Sequence, residues 1–222
     1  MKLPRHGSSS APLAKPGQNW SISLEMNRSF SLFNTPIGTC AIAWSEQGIL
    51  ALSLPENDPA ATRECITSRV PGAEESEPPS DVESAIADIT RLLSGEPVDL
   101  LGARLDLTGI SDFHKRVYDE ARRIPPGSTM TYGQIAQRLK APGTARAIGQ
   151  ALGANPFPII VPCHRVLGAN GAVGGFSAPG GVETKLRILN IERRNAPLEA
   201  SLFADLPLAP PPRRMRLPRR MT

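Results

Sequence analysis

Cysteine is scarce in this chain, and the three that are present lie far apart, at Cys40, Cys65 and Cys163. An odd number of distant cysteines does not build a disulfide framework. Free thiols persist in reducing compartments, so we expect a cytoplasmic protein.

Histidine is equally scarce, with three in the chain: His6, His114 and His164. Cys163 and His164 are adjacent, which is too close together for a normal tetrahedral site, and no other pair of Cys and His residues has the spacing of zinc ligands. We therefore expect no structural metal.

Long apolar runs are also missing. No stretch approaches the roughly 18 residues that a transmembrane helix needs, so we expect no membrane span. The N-terminus carries Lys2 and Arg5 but lacks the apolar segment of a signal peptide, which predicts a disordered arm over residues 1–26. Residues 196–222 are rich in proline and arginine and cannot build a core, so they are expected to form a flexible tail.

Charge is unevenly distributed along the chain. Residues 27–112 hold 5 Lys or Arg and 14 Asp or Glu, whereas residues 113–194 hold 12 and 4. This reversal of sign indicates two units with different partners. The basic unit predicts a polyanionic partner, most simply nucleic acid. The alternative is that its positive face only docks against the acidic unit.

The first unit combines strands and helices. Apolar residues alternate over 40–44 and again over 50–54, with a glycine-containing turn between them, which predicts a β-hairpin with one buried face. Further along, we expect a helix, a loop and a second helix: residues 58–69, 71–80 and 80–93. Ser80 and Glu83 have the spacing of a capping box at the start of that second helix.

The second unit is predicted to be helical. An apolar stripe marks a helix over 113–124. Thr131 and Gln134 form a capping box that opens the next helix. After a break containing glycine, Thr144 is expected to cap another short helix over 145–153. Two helices joined by a short turn are typical of a helix-turn-helix.

The outer face of this second short helix carries small residues around a single long one. Opposite the apolar Ile148 and Leu152 lie Arg146, Gly149, Gln150 and Gly153. A glycine inside a helix costs about 1 kcal/mol relative to alanine. Glycines here favour a partner that approaches the backbone closely, such as DNA, with Arg146 entering the base stack or minor groove. Close helix–helix packing with Arg146 in solvent is the alternative.

The segment 161–165 (VPCHR) places a cysteine between proline and histidine. Thiolate is a strong nucleophile, and a neighbouring imidazole and guanidinium can lower the pKa of a thiol. Pro162 fixes the backbone immediately before Cys163. The pattern indicates a positioned nucleophile, and the alternative is a packed core cysteine.

Five segments in the second unit occur together in a characteristic order: 131–136 (TYGQIA), 145–149 (ARAIG), 155–156 (NP), 162–166 (PCHRV) and 174–177 (GGFS). Together they resemble the O6-alkylguanine-DNA alkyltransferases, also called methylated-DNA–protein-cysteine methyltransferases. The resemblance covers about residues 112–193, and the N-terminal unit is compatible with the variable first domain of that family.

The resemblance implies a mixed α/β (α+β) fold and a division of the chain. Residues 27–108 would form a small ribonuclease-H-like α/β domain. Residues 109–195 would form a mostly helical, winged-helix-like DNA-binding domain with a helix-turn-helix. The implied activity is DNA repair by base flipping and transfer of the alkyl group from O6-alkylguanine, with O4-methylthymine a further candidate, to the protein's own cysteine. It is a single-turnover reaction of a monomer on double-stranded DNA, without a cofactor.

The resemblance also implies roles for the residues around the sulfur. Cys163 would accept the alkyl group irreversibly as a thioether, His164 would act as the base through a bound water, and Glu192 would orient His164. Tyr132 would hold the phosphate beside the lesion and protonate the leaving base. Asn155 would fix the turn before the nucleophile.

The position of Glu192 has some support from the sequence itself. Val182, Leu186 and Leu189 form an apolar stripe that Glu192 continues three residues further on, and a carboxylate on a buried face needs a partner. The alternative is a residue at the end of a helix that points to water.

Further positions would contact DNA or the extruded base. The expected DNA contacts are Tyr132, Thr144, Ala145, Arg146, Ala147, Gly149 and Arg165. Arg146 would replace the extruded nucleotide in the stack. The base pocket would be formed by Val166, Phe176 and Ser177, and backbone groups of Cys163, Val166 and Ser177 would read the flipped guanine.

This chain departs from the family pattern in three places. Phe176 stands where many relatives carry tyrosine, so a hydroxyl is absent and the substrate range or rate would differ. Two additional residues precede the last helix, near 179–180. The zinc ligands of vertebrate-type N-terminal domains have no counterpart here.

Three other functions compete with this prediction. Alkyltransferase-like proteins bind lesions without chemistry, but they lack the cysteine. A cysteine hydrolase would need a Cys–His pair, and adjacent residues rarely face each other. A transcription regulator would need more long polar side chains on its recognition helix than this chain provides.

Overall fold

The computed structural model describes residues 27–194, and the two predicted tails, 1–26 and 196–222, lie outside this range. The first part contains a four-stranded sheet with the order β3-β2-β1-β4. Its strands are β1 (Ser29–Thr35), β2 (Gly38–Ser45), β3 (Gly48–Ser53) and the short β4 (Glu74–Glu75). The first three form an antiparallel meander, and β4 pairs in parallel with β1. The predicted hairpin is β2–β3, whereas β1 and β4 were not predicted.

The turn between β2 and β3 depends on a glycine. Gly48 has φ +138°, and a Cβ at this position would lie 2.6 Å from the carbonyl oxygen of Arg104. The backbone of residues 104–106 runs beside β3 and bonds to Ile49 on both sides. A side chain at position 48 would therefore separate this segment from the sheet.

Two helices accompany the sheet: α1 (Pro59–Arg69) and α2 (Ser80–Leu93). Asp58 caps α1 by accepting a hydrogen bond from the amide of Ala61 at 2.8 Å. The predicted range of α2 agrees with the structure, but its predicted capping box is wrong. Pro79 precedes the helix and Ser80 is already helical, so no side chain caps the first turn.

The second part is mostly helical. Its helices are α3 (Asp112–Arg122), α4 (Tyr132–Arg138), α5 (Ala145–Gly153) and α6 (Gly181–Arg193), with a short parallel pair of strands, β5 (Met130–Thr131) and β6 (Val166–Leu167). The capping box at the start of α4 is confirmed, because Thr131 and Gln134 bond to each other's backbone amides. Thr144 precedes α5 as predicted, but its hydroxyl donates to the Ala141 carbonyl and does not cap the helix.

Hydrogen bonds to backbone carbonyls join the two parts. The amide of Leu52 in β3 donates to the carbonyl of Pro156 at 2.9 Å, immediately after α5. Arg187 on α6 donates to the carbonyls of Pro36 and Ile37, and Arg122 on α3 donates to carbonyls between residues 100 and 103. These boundary cations bond to carbonyl oxygens of the acidic unit and not to its carboxylates, which weighs against docking of opposite charges as the reason for the basic unit.

Within residues 27–194, none of the helices combines the length and apolar character that crossing a membrane requires.

Candidate active site

Cys163 begins a short 3-10 helix, Cys163–Arg165, between the loop that follows α5 and strand β6. Its half-buried thiol opens into a cavity of about 400 Å³. Side chains from α4, α5 and the loop before α6 form the walls, including Tyr132, Leu152, Phe176 and Ser177. The sulfur therefore faces a cavity of base size that lies directly beside the second helix of the helix-turn-helix.

Behind Cys163, a fully buried network links His164, Arg165 and Glu192. Nε2 of His164 lies 2.9 Å from Oε1 of Glu192. The Arg165 guanidinium donates to both carboxylate oxygens, at 2.8 and 2.9 Å, and its third nitrogen donates to the carbonyl of Ile124. The backbone amide of Gly127 completes the shell of the carboxylate. The groups that contact the Glu192 carboxylate thus all belong to buried residues.

The ionisation of this network follows from its contacts. Burial alone would raise the pKa of Glu192, but the contacts with His164 and Arg165 hold it well below its usual range. Burial lowers the pKa of His164, although Glu192 opposes the change. At neutral pH the carboxylate is therefore charged and the imidazole is neutral.

A neutral His164 beside an ionised Glu192 has one favoured tautomer. Nε2 carries the proton, because it faces a carboxylate that can only accept, so Nδ1 is left with a free lone pair. Nδ1 is buried and has no hydrogen-bond partner among residues 27–194. The geometry thus prepares Nδ1 as a proton acceptor. No direct bond joins His164 to Cys163 in this part of the chain, which disfavours a Cys–His hydrolase pair.

Asn155 fixes the loop between α5 and the nucleophile. Its side-chain amide donates to the Val161 carbonyl at 2.9 Å, and its oxygen accepts from the Phe157 amide at 2.9 Å. Between them, Ile159 adopts φ +74°, a strained conformation for a β-branched residue, and is buried. The two bonds of Asn155 hold this strained loop closed.

The helix-turn-helix presents its predicted residues on one surface. Arg146 and Gln150 are exposed on α5, and the neighbouring Thr144, Ala145 and Ala147 are partly exposed. A Cβ at Gly149 would lie 3.7 Å from the ring of Tyr132, which is ordinary contact. The protein itself therefore has room for an alanine at position 149. If position 149 requires a glycine, the reason is a partner that approaches the backbone of α5 closely.

Tyr132 joins this surface to the cavity. Its ring lies beside Gly149, and a Cβ at Gly174 would lie 3.7 Å from its hydroxyl. Burial raises the pKa of Tyr132, and the charge of Cys163 adds to the change. The hydroxyl therefore keeps its proton at neutral pH, as a donor must.

Arg165 occupies another position than predicted. The guanidinium of Arg165 is buried on Glu192 and Ile124, so it cannot contact DNA, and its predicted place on the DNA surface is corrected. It also faces the carboxylate and not the thiol. The side chain of Val166 is fully buried, and its carbonyl accepts a hydrogen bond from Lys185. The contact of its backbone with the base stays a prediction.

Lys185 was not predicted, because the stripe of Val182, Leu186 and Leu189 matches the buried face of α6 only at Leu189 and in its continuation to Glu192. Val182 is 41% exposed, and the buried residues of the helix are Lys185, Ile188, Leu189 and Glu192. Glu192 and Lys185 are seven residues apart, two helical turns, so they share one face. Given a buried Glu192, this periodicity predicts that Lys185 is buried as well.

Comparisons with known proteins agree with this geometry. Residues 112–194 match the family model described as the DNA-binding domain of 6-O-methylguanine DNA methyltransferase. A methylated-DNA–protein-cysteine methyltransferase of Mycolicibacterium paratuberculosis is 42% identical over 127 residues, which are 57% of this chain and 74% of that protein. One from Methanothermobacter thermautotrophicus is 34% identical over 157 residues, 71% of this chain and 81% of that protein.

Solved structures give the same result for the whole fold. The crystal structure of Mycobacterium tuberculosis OGT in complex with DNA superposes with a TM-score of 0.62 at 35% identity, covering 79% of this chain and 99% of that one. The O6-methylguanine-DNA methyltransferase of Pyrococcus kodakaraensis superposes with a TM-score of 0.58 at 27% identity, covering 73% and 98%. The predicted mixed α/β fold class is confirmed.

Fold and site together define a DNA-binding enzyme with a cysteine nucleophile. The chain belongs to the family of methylated-DNA–protein-cysteine methyltransferases. It is therefore a DNA-repair enzyme that transfers methyl groups from DNA to cysteine, as the sequence predicted.

Proposed function

We propose that Cys163 is the acceptor of this enzyme and that its substrate is O6-alkylguanine in double-stranded DNA. The observation that carries the proposal is the half-buried thiol at the end of a cavity beside α5, the helix that bears Arg146. The reaction ends in a thioether, so each molecule acts once.

The chemistry divides among the residues of the site. Nδ1 of His164 takes the proton of Cys163 through an intervening water. The sulfur then attacks the alkyl carbon in line, a C–S bond forms, and the bond from that carbon to guanine O6 breaks. Its electron pair passes to the base, which the Tyr132 hydroxyl protonates. Glu192, held ionised by Arg165, keeps His164 in the required tautomer.

The reacting atom lies inside the duplex, so the nucleotide has to leave the stack. Unstacking costs a few kcal/mol, which contacts to the flipped base and to the gap offset. Arg146, the exposed cation on α5, fills the gap, supported by Thr144, Ala145, Ala147 and Gly149. The extruded guanine enters between Leu152, Phe176 and Ser177. Phe176 offers an apolar wall without a hydroxyl, so it tunes which alkyl groups react.

The remaining parts of the proposal concern organisation. Residues 27–108 form the ribonuclease-H-like domain and residues 109–195 the alkyltransferase domain. The enzyme acts as a monomer, because the nucleophile, the base and the helix-turn-helix all come from one chain. The reaction requires a reduced thiol, which favours the cytoplasm.

Transfer of labelled methyl from an O6-methylguanine duplex to the protein tests the proposal. We expect one methyl per wild-type molecule, located on the Cys163 peptide by mass spectrometry. Cys163→Ala should bind the duplex but accept no label. Cys65→Ala is the matched control, since Cys65 is also partly exposed but lies on α1, and it should behave as wild type. Label on another residue, or repeated turnover, contradicts the proposal.

A further inference from the structure

A second cavity, of about 660 Å³, adjoins the cavity at Cys163. Both have Tyr132, Gly149 and Gly175 in their walls, so the two form one continuous depression beside α5. We call the second cavity the α5 groove. The rest of its wall is mostly glycine and alanine: Gly133, Ala145, Ala169 and Gly174. These small residues leave the backbone of α5 open to a partner that approaches closely.

The residues that line the α5 groove include four with polar side chains: Thr131, Tyr132, Arg146 and Gln150. The Thr131 hydroxyl accepts a hydrogen bond from the amide of Gln134 in the capping box of α4. Tyr132 and Arg146 have the roles proposed above, as proton donor and as replacement for the extruded nucleotide. Within residues 27–194, the side-chain amide of Gln150 takes part in no hydrogen bond. It is therefore available to a partner that enters the groove.

Gln150 lies one helical turn after Arg146, so both side chains project from the same face of α5. Residues four apart on a helix have Cβ atoms about 6 Å apart, and base pairs of a duplex are stacked about 3.4 Å apart. With Arg146 in the place of the extruded nucleotide, Gln150 thus reaches a base pair within about two steps of the lesion. Its neighbours on this face, Ala147, Gly153 and Ala154, are too small to shield the amide.

The edges of the base pairs decide what a glutamine amide can distinguish. Proteins that insert side chains between base steps commonly do so from the minor groove. There, A·T pairs present only acceptors, and G·C pairs add the N2 amino donor of guanine. The nitrogen of the Gln150 amide finds an acceptor at every pair, whereas its oxygen finds a donor only at guanine. An A·T pair at this place leaves the oxygen without a partner.

We propose that Gln150 makes the rate of methyl transfer depend on the base pairs beside the lesion, with G·C preferred over A·T. The amide oxygen accepts a hydrogen bond from guanine N2 when α5 is seated on the duplex. Gln150 is thus a specificity-determining residue, which contacts the DNA but not the reacting atoms. The inference rests on the proposed function, because it takes O6-alkylguanine in a duplex as the substrate and α5 as the helix that contacts it.

Competition between duplexes in one reaction tests the proposal. Each duplex carries O6-methylguanine, and the pairs within two steps of it are G·C, A·T, inosine·C or 2,6-diaminopurine·T. Inosine lacks the N2 amino group of guanine, and diaminopurine adds this group to adenine, while the major-groove edge stays the same in both cases. With DNA in excess over protein, the ratio of repaired duplexes gives the ratio of rates and does not depend on total activity.

Two variants of Gln150 and one control are compared with wild type. Gln150→Ala removes the amide, and Gln150→Leu replaces it by an apolar side chain of similar size. Gln137→Ala is the matched control, since it removes an exposed glutamine from α4 at a position that does not line the α5 groove.

We expect wild type to repair the G·C duplex about threefold to tenfold faster than the A·T duplex, the effect of one hydrogen bond. Diaminopurine·T should behave as G·C, and inosine·C as A·T. In both Gln150 variants, the ratio of G·C to inosine·C and the ratio of diaminopurine·T to A·T should fall towards one. Gln137→Ala should keep the wild-type ratios.

Two results overturn the proposal. One is a set of ratios in Gln150→Ala equal to those of wild type, because the amide then does not carry the preference. The other is a wild-type enzyme that repairs all four duplexes at the same rate, which defeats this inference but leaves the proposed function intact. Absence of methyl transfer to every duplex would instead defeat the proposed function and the inference together.

Discussion

Single residues in this site act through their neighbours. Glu192 meets Arg165 on both oxygens and His164 on one, so its charge is compensated where it is buried. Removing one partner of such a buried pair typically costs about 3–5 kcal/mol, because the other charge is left alone. His164 depends on this compensation to stay neutral while it touches a carboxylate.

The neutral state of His164 makes stability depend on pH. Its folded-state pKa lies below the unfolded value of about 6.5, so below that pH the unfolded chain binds a proton that the folded chain does not. The contribution of His164 to the free energy of unfolding is fully present above about pH 6.5 and is lost as the pH falls towards the folded-state pKa. Glu192 contributes in the same direction, but only below about pH 4.3.

We therefore expect the free energy of unfolding to fall between pH 7 and pH 5, by up to about 1.4 kcal/mol per pH unit. Denaturant titrations at several pH values measure it. His164→Gln should show a flatter dependence, and His114→Gln, at a partly exposed position on α3, should keep the wild-type slope. If the wild-type and His164→Gln slopes are equal, His164 does not carry the effect.

At the scale of elements, the loop from α5 to the 3-10 helix joins the helix proposed to read DNA to the proposed acceptor, Cys163. Asn155 closes it by two hydrogen bonds, and β3 supports it through the bond from Leu52 to Pro156. Tyr118 on α3 adds a bond from its hydroxyl to the carbonyl of Ala151. The helix and the nucleophile are thus fixed to each other from three sides.

Asn155→Ala should weaken this connection. It leaves the Phe157 amide without its acceptor, at a cost of about 1–3 kcal/mol. It also removes one of the two donors to the Val161 carbonyl, which still accepts from the Cys163 amide. We expect a lower free energy of unfolding and at least a tenfold slower methyl transfer, because the strained loop no longer holds Cys163 in line. Asn190→Ala, exposed on α6, is the control. Wild-type rates in Asn155→Ala would show that the loop holds its shape without these bonds.

At the scale of the whole molecule, the charge asymmetry becomes a question of which cations reach the surface. Residues 113–194 hold 12 Lys or Arg. Arg165 and Lys185 are among them but are buried. Arg122 and Arg187 donate to carbonyls of the first unit. The surface available to DNA is therefore less basic than the composition indicates.

We expect affinity for unmodified duplex to fall steeply with salt, as log K against log salt concentration with a slope of about −0.9 per neutralised phosphate. Lys185→Gln should leave that slope unchanged, since its charge is buried.

Arg146→Ala should weaken binding about tenfold or more while Cys163 still reacts with iodoacetamide at the wild-type rate. Fluorescence anisotropy at several salt concentrations measures both, with Arg91→Ala of the acidic unit as control. Unchanged binding by Arg146→Ala would remove it from the DNA surface.

Short-range features were predictable because their partners lie close in the chain. The capping box of Thr131 and Gln134 spans four residues, and the hairpin of β2 and β3 needs only alternation and a turn. The failed capping box at Ser80 shows the limit of such patterns, since Pro79 takes the cap position and the helix begins one residue earlier than a serine cap requires.

The sequence by itself determined the helix-turn-helix and the family, and it predicted the nucleophile, because these rest on adjacent residues and local periodicity. Only the tertiary structure decided which charges meet. Arg165 pairs with Glu192, 27 residues away, and Lys185 donates a hydrogen bond to the carbonyl of Val166, 19 residues away. The physical reason is that burial forces each charge to find a partner in space, and the partner is chosen by how helix α6 packs behind Cys163 rather than by nearness along the chain.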